Sequence, residues 1–595
     1  MNNPHYLFIL LASMLLSACA QFTPYRTEMP DPKSAEYTPF KCKVDDSPPS
    51  LIDENMPDTA LELCDSPTST GSHAIQHRYY QVWANPDKIS RKKGDYHLSF
   101  VEFDDQGWFA DRRQMEALFE LLKTLEEKND GSTLIYVYAH GWKHNASSCD
   151  NNVVCFSRLL ERTDLLQRVN ADSATLPRNV VGIYIGWRGL PFNGPLNNLS
   201  FWSRKDTAAR VGRGGVFELL TRLKDYRDNR FKDFCVNQLK QDSIDSQARL
   251  QNFPDCARYA AAKDLPHENT VNRESMNPPN SNPTQLVISG HSFGGLVIYS
   301  ALSHALMERA AKTTSNGKGA EYERAQSFGD FVILVNPAFE GSMYEPLFNI
   351  AINRCYDPKQ KPVMMIVTSE ADKATGSAFP MGRALGTILQ HAKSSEQKDS
   401  MHKTIGHNDR YLTHRLTSDG KKAKEIPDKR ACPCKYLEAT SDRDVETMLL
   451  PLYSTIIDNA IAGAYSEPGL KPYGQQVMLT PAPWECSIEE NTFQHCLTKP
   501  GQSTLDPMYT GRYPYLVVKT DAGVIADHNA IYNERFTDFT MAFITEHIAA
   551  HPRSWAPATA PVQSCFNEEF PRTGAALLPN KRSCQLANGD SCSVP

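Results

Sequence analysis

The sequence predicts an α/β fold in which a mostly parallel sheet carries helices on both faces, with large cap or lid insertions. Two observations lead there. Short, continuously apolar runs alternate with stretches of helical periodicity, and one run passes directly into a Gly-x-Ser-x-Gly turn with a helical pattern behind it. Strands buried on both faces read as unbroken apolar runs, and strands alternating with helices pair in parallel.

Taken in order, the elements begin at a short N-terminal apolar run. Leu7 to Leu16 is too brief to span a bilayer but suits the hydrophobic region of a secretory signal. It ends in Leu16-Ser17-Ala18-Cys19, which resembles the lipobox of bacterial lipoproteins. That resemblance implies a signal over residues 1–18, acylation at Cys19, and a lipid-anchored protein of the bacterial envelope. Ala20 follows the cysteine where inner-membrane retention would be associated with Asp, so the outer membrane is expected. Met1 to Tyr6 departs from the pattern in having no Lys or Arg. Residues 19–75 are rich in Pro, Ser, Thr and Asp without periodicity, as a tether would be.

The α/β domain is expected over residues 76–550. A strand at Tyr96 to Phe103 precedes a helix at Arg113 to Lys128, which stops at Asn129-Asp130-Gly131. Further strands are predicted at Thr133 to Ala139, Asn179 to Gly186, Gln285 to Ser289, Asp330 to Asn336, Val363 to Thr368 and Tyr515 to Lys519. Insertions are expected at about 190–283, with a helix at Val211 to Tyr226, and at about 385–510, too long for a simple loop. A helix-like stretch from Ile531 to Ile548 leads to a Pro- and Cys-rich tail over 551–595.

Composition narrows the function classes. Of 595 residues, 41% are hydrophobic and 22% charged, which excludes wholesale disorder. Net charge is -6, without the basic excess of a nucleic-acid binder, so no nucleic acid partner is expected. Apart from the N-terminus, no apolar run approaches the roughly 20 residues of a membrane-spanning helix. Setting Cys19 aside from 15 cysteines leaves an even number, suited to disulfides outside the cytoplasm. Cys149 with Cys155, Cys486 with Cys496, Cys584 with Cys592, Cys235 with Cys256, and Cys42 with Cys64 are plausible clamps, though connectivity cannot be read from spacing. Cys432-Pro433-Cys434 lacks a second ligand pair, and His140 with His144 lacks a completing carboxylate, so no metal is expected.

The chemistry centres on Gly290-His291-Ser292-Phe293-Gly294-Gly295. A serine at a sharp strand-to-helix turn is presented above the sheet, and flanking glycines let the backbone pack closely. The five-residue pattern alone is weak, and a plain structural turn is the bland alternative. An oxyanion site needs backbone donors. His140-Gly141-Trp142 follows an apolar strand and could aim the Trp142 N–H, and Phe293 supplies the N–H after the serine.

In this order, His140-Gly141-Trp142, Gly186-Trp187 and the Ser292 turn resemble the α/β-hydrolase superfamily over about residues 95–550, closest to poorly characterised bacterial serine esterases and lipases. The resemblance implies a triad in the order serine, acid, histidine. Asp372, beyond the strand at Val363 to Thr368, is the chosen acid, with Glu370 as competitor. His528, in Asp527-His528-Asn529 beyond the last strand, is the chosen base, with His407 as competitor. A surface loop residue is the bland reading of each. The expected activity is ester hydrolysis through an acyl-enzyme, without cofactor, on an ester or acyl-lipid substrate. Acyl transfer with the same residues, a peptidase, and a catalytically silent envelope scaffold are the alternatives.

Overall fold

The computed structural model describes residues 23–29, 78–83, 96–128, 132–147, 150–170, 178–190, 200–240, 284–312, 325–351, 361–387, 389–418, 477–481, 485–486, 496–497, 513–532, 534–544, 582–585 and 591–594. Cys19, Cys42, Cys64, Cys149, Cys256 and Cys432-Pro433-Cys434 lie outside them, as does the side chain of Cys235.

The strands are β1 (Tyr80–Trp83), β2 (Tyr96–Phe103), β3 (Thr133–Ala139), β4 (Asn179–Trp187), β5 (Thr284–His291), β6 (Phe331–Val335), β7 (Met364–Ser369), β8 (His414–Ser418), β9 (Val477–Pro481), β10 (Glu485–Cys486), β11 (Cys496–Leu497), β12 (Tyr515–Thr520), β13 (Arg582–Gln585) and β14 (Ser591–Val594). A 10-stranded sheet has the order β1-β2-β4-β3-β5-β6-β7-β12-β8-β9. Neighbours from β2 to β8 in that order run parallel; the edge pairs β1 with β2 and β8 with β9 are antiparallel. The chain is therefore of the α/β class, with a mostly parallel mixed sheet.

Nine helices are described: α1 (Arg112–Lys128), α2 (Asn151–Asn170), α3 (Phe201–Val211), α4 (Phe217–Lys240), α5 (Phe293–Lys312), α6 (Gly341–Ala351), α7 (Phe379–Gly386), α8 (Ser395–His402) and α9 (Glu534–Ile544). Side-chain alternation along β3 explains how they cover both faces. Ile135, Val137 and Ala139 join one core with Leu118 of α1, Leu220 of α4 and Val297 of α5. Leu134, Tyr136 and Tyr138 join another with Phe156 of α2 and Phe539 of α9. Every residue of β3 and β5 is buried, and each large apolar side chain removed from water contributes about 1.5–3 kcal/mol.

Three expectations change. The helix expected over Val211 to Tyr226 is instead α3 and α4 joined by a wide turn at Gly212–Val216, where Gly214 leaves helical conformation with φ -92 and ψ -125. Three glycines in five residues weaken a continuous helix, and their lack of side chains lets the turn close on Gly107 and α5. Second, the stretch expected as an insertion over 385–510 contributes β8 and β9, which extend the sheet beyond β12. Only one residue of His-Arg-Leu-Thr-Ser is strongly apolar, so β8 gives no buried-strand signal. Third, the tether expected over 19–75 is not free throughout. Arg26 is fully buried, its backbone N–H donates to Glu102 Oε1 at 2.8 Å, and Glu28 bridges to Arg78.

Backbone register sets Cys486 opposite Cys496 and Cys584 opposite Cys592, two of the cysteine pairs the spacing suggested. Cys155 is disulfide-bonded. Among the described residues no helix is long and apolar enough to cross a membrane.

Candidate active site

In-register parallel pairing aligns the C-terminal ends of β5, β6, β7 and β12, with His291 beside Val335 and Ser369 beside Thr520. The loops leaving these ends carry the candidate residues. Ser292 occupies the single position between β5 and α5 with φ 54, left-handed backbone that a serine adopts only under constraint. Its N–H donates to Val335 O at 3.0 Å and its carbonyl accepts from Ala338 N at 3.1 Å, so the turn is tied to β6. Gly290 and Gly294 face one another across it: a Cβ on Gly290 would lie 2.5 Å from Gly294 O, and one on Gly294 would overlap Ala139 O.

Asp372 and His528 meet Ser292 in one hydrogen-bonded line. Ser292 Oγ lies 2.9 Å from His528 Nε2, and His528 Nδ1 lies 2.8 Å from Asp372 Oδ2. With the ring neutral, Nδ1 carries the proton toward the carboxylate and Nε2 accepts from the serine. Asp372 is 1% exposed and also accepts from Ala374 N, Thr375 N and the Thr375 hydroxyl. Burial pushes its carboxyl up, but the bond and charge of His528, joined by Thr375, outweigh this and bring it down to about 2.

The competitors fall elsewhere. Glu370 is exposed and pairs with Arg415 at 2.7 Å. His407 lies 3.1 Å from Thr375 Oγ1, the hydroxyl that donates to Asp372, whereas the histidine bonded to Ser292 Oγ is His528. Burial pushes its imidazole below the ordinary value.

His528 is also held by its backbone. Its carbonyl accepts from His291 Nε2 at 2.8 Å and from Asn336 Nδ2 at 2.9 Å. Burial, reinforced by the nearby His528, pushes His291 down to about 3, so its ring is neutral and its one proton serves this bond. Asn336 has φ 44 at the end of β6, and its Oδ1 accepts from Ser369 N at 2.9 Å. The sequence reading had His291 only as part of the motif and missed Asn336 and Thr375. An asparagine closing an apolar strand, a residue type that tolerates left-handed backbone, was the available signal for Asn336.

His140 fixes the loop after β3. Its ring stacks on Trp187 at 5.5 Å and is pushed down to about 4 by burial. Nε2 accepts from Trp187 N at 3.1 Å, which puts the proton on Nδ1, 2.8 Å from Gly141 O. In a trans peptide the N–H points opposite the carbonyl, so the Trp142 N–H is turned away from His140. A Cβ on Gly141 would lie 2.9 Å from Ser292 Cβ, so only glycine lets this loop pass so close to the serine. Phe293 opens α5, and its N–H belongs to the first turn, which has no carbonyl partner within the helix. Phe201 packs on Phe293 at 4.8 Å and on Trp142 at 5.2 Å, giving this side of the site an aromatic wall.

His144 pairs with buried Asp150 at 3.1 Å. Among the described residues no group of His, Cys, Asp and Glu is arranged to hold a metal ion. No family model, no curated protein and no solved structure matches this chain.

Proposed function

We propose that this chain is a serine-dependent carboxylic-ester hydrolase of the α/β-hydrolase type, acting through an acyl-enzyme and anchored by an acylated Cys19 on the extracytoplasmic side of a bacterial envelope. The observation that carries the reading is the line from Ser292 Oγ through His528 to the buried Asp372, with distances of 2.9 and 2.8 Å. A serine hydroxyl is a weak nucleophile unless a base takes its proton, and a base is effective when a third group orients it. The mostly parallel sheet, with these residues on loops beyond β5, β7 and β12, supports the hydrolase type.

In the first half-reaction His528 Nε2 takes the Ser292 proton as Oγ bonds to the ester carbonyl carbon. Asp372 stabilises the imidazolium. The Phe293 and Trp142 N–H groups receive the developing oxyanion. Collapse expels the alcohol, which leaves with the proton from His528, and the acyl group stays on Ser292. Water then repeats the sequence, giving the carboxylic acid and free serine. The apolar wall of Trp142, Phe201 and Phe293 favours an apolar acyl group over a charged one.

Turnover of p-nitrophenyl esters of increasing acyl length in ¹⁸O-water tests this. One ¹⁸O should enter each released acid, and added alcohols should divert little product to new esters. Equal turnover by Ser292→Ala would contradict the proposal.

A further inference from the structure

We propose that the chain just behind Cys19 is latched to the same rim of the sheet that carries Ser292, so that an acyl group on Cys19 holds this rim against a lipid bilayer. The inference rests on the acylation proposed above and adds an orientation to it.

The latch is built from buried polar groups. Tyr25 N and Arg26 N donate to the two oxygens of Glu102 at 2.9 and 2.8 Å, and Arg26 Nε donates to Ala146 O at 2.8 Å. The Arg26 guanidinium stacks 3.5 Å from the Phe100 ring centre. Gln114 donates to Arg26 O at 2.8 Å and to Glu102 Oε1 at 3.1 Å. Arg26 is 0% and Glu102 1% exposed, so both charges have left water and depend on this arrangement. Glu28 O then accepts from Tyr79 N at 2.8 Å, which continues the attachment.

Position gives the latch its consequence. Glu102 is the penultimate residue of β2, Ala146 follows the Gly141 loop after β3, and a Cβ on Gly186, near the end of β4, would lie 2.8 Å from Glu102 Cγ. All three are at the C-terminal ends of parallel strands, the rim from which Ser292, Asp372 and His528 project. In the order β2-β4-β3-β5, β2 is three strands from the serine, about 14 Å at ordinary strand spacing. Four residue steps separate Cys19 from Thr23, a reach of at most about 14 Å. The anchor is therefore confined to the rim.

The surface of the rim fits a bilayer. Trp108 is 73% exposed on the turn after β2, and Met381 is 70% exposed on α7, beyond the Asp372 turn. Trp202 of α3 lies against Phe379 of α7 with its ring partly exposed. Phe217 is exposed at the start of α4, beside the glycine turn that packs on Gly107. Aromatic rings settle at membrane interfaces, where one part is apolar and another wet.

Hydroxyl-radical footprinting of the full-length acylated protein tests the orientation, in phosphatidylcholine vesicles and as the form beginning at residue 20 in solution. Oxidation of Trp108, Trp202 and Met381 should be at least about five-fold slower on vesicles. Inserting twenty Gly/Ser residues between Ala20 and Gln21 adds roughly 25 Å of leash while leaving the latch intact. It should restore solution rates without changing hydrolysis of a water-soluble ester. Arg26→Ala, if folded, should restore them as well. Equal rates on vesicles and in solution, or protection that survives the longer leash, would overturn the proposal. The mass of the N-terminal peptide reports acylation, and its absence also overturns it. Fluorophosphonate labelling of the same sample reports Ser292 separately, so failure of the hydrolase reading is distinguishable.

Discussion

The His291 imidazole donates to the backbone carbonyl of His528 at 2.8 Å, so the residue beside Ser292 holds the histidine that faces it. Asn336 adds a second bond to that carbonyl at 2.9 Å and links it to β7 through Ser369. Loss of either donor leaves the imidazole in place but loosens its approach to Ser292. Asn336→Gly, which keeps the left-handed backbone accessible, should lower kcat about 10- to 100-fold, the equivalent of one bond worth about 1–3 kcal/mol. KM should stay within about three-fold, and steady-state kinetics on a soluble ester would check both values.

The two histidines near Asp372 should behave differently. His528→Ala should lower kcat/KM by several decades, because the serine loses its base. His407→Ala removes only a neighbour of Thr375 and should cost less than about ten-fold. The same assay on Glu370→Ala should show near wild-type turnover, since that carboxylate is spent on Arg415.

The buried acid sets a pH window. The folded-state pKa of Asp372 is depressed to about 2, so the carboxylate contributes stability at and above the ordinary aspartate value of 3.8. The contribution is lost as pH falls through 2. In denaturant unfolding, the difference between wild type and Asp372→Asn should still be present at about pH 5 and should shrink toward pH 2. A difference that vanishes by pH 5 would contradict the assignment.

The buried pair at the N-terminal latch makes a stability prediction. Glu102→Ala removes the acceptor of the Tyr25 N–H and the buried Arg26 N–H, together with the carboxylate charge near the buried Arg26 guanidinium, and should destabilise the fold by about 3–5 kcal/mol. Glu102→Gln, which keeps a carbonyl oxygen as acceptor for one of these backbone N–H groups, should recover part of that loss. Chemical denaturation of the three proteins would check the order.

The sheet was legible because β3, β5, β6 and β7 are buried on both faces and advertise themselves as apolar runs, with predicted ends within about two residues. That Ser292, Asp372 and His528 belong to one candidate site was legible because each follows such a run. Residues that act through single polar contacts gave no such signal. Asn336, Thr375 and Arg26 owe their places to partners 192, 3 and 76 positions away. No periodicity reports a pairing across such separations, and the short separation of Thr375 lies in a turn without periodicity. β8 was missed because its partner β12 comes about a hundred residues later and its own sequence is largely polar.

The most direct test of an activated Ser292 is labelling by a fluorophosphonate probe, which needs no knowledge of the substrate. Wild type should label and Ser292→Ala should not, with labelling of His528→Ala slowed by several decades and that of His407→Ala retained. Absence of labelling in the folded wild-type protein, or labelling that persists in Ser292→Ala, would contradict the account.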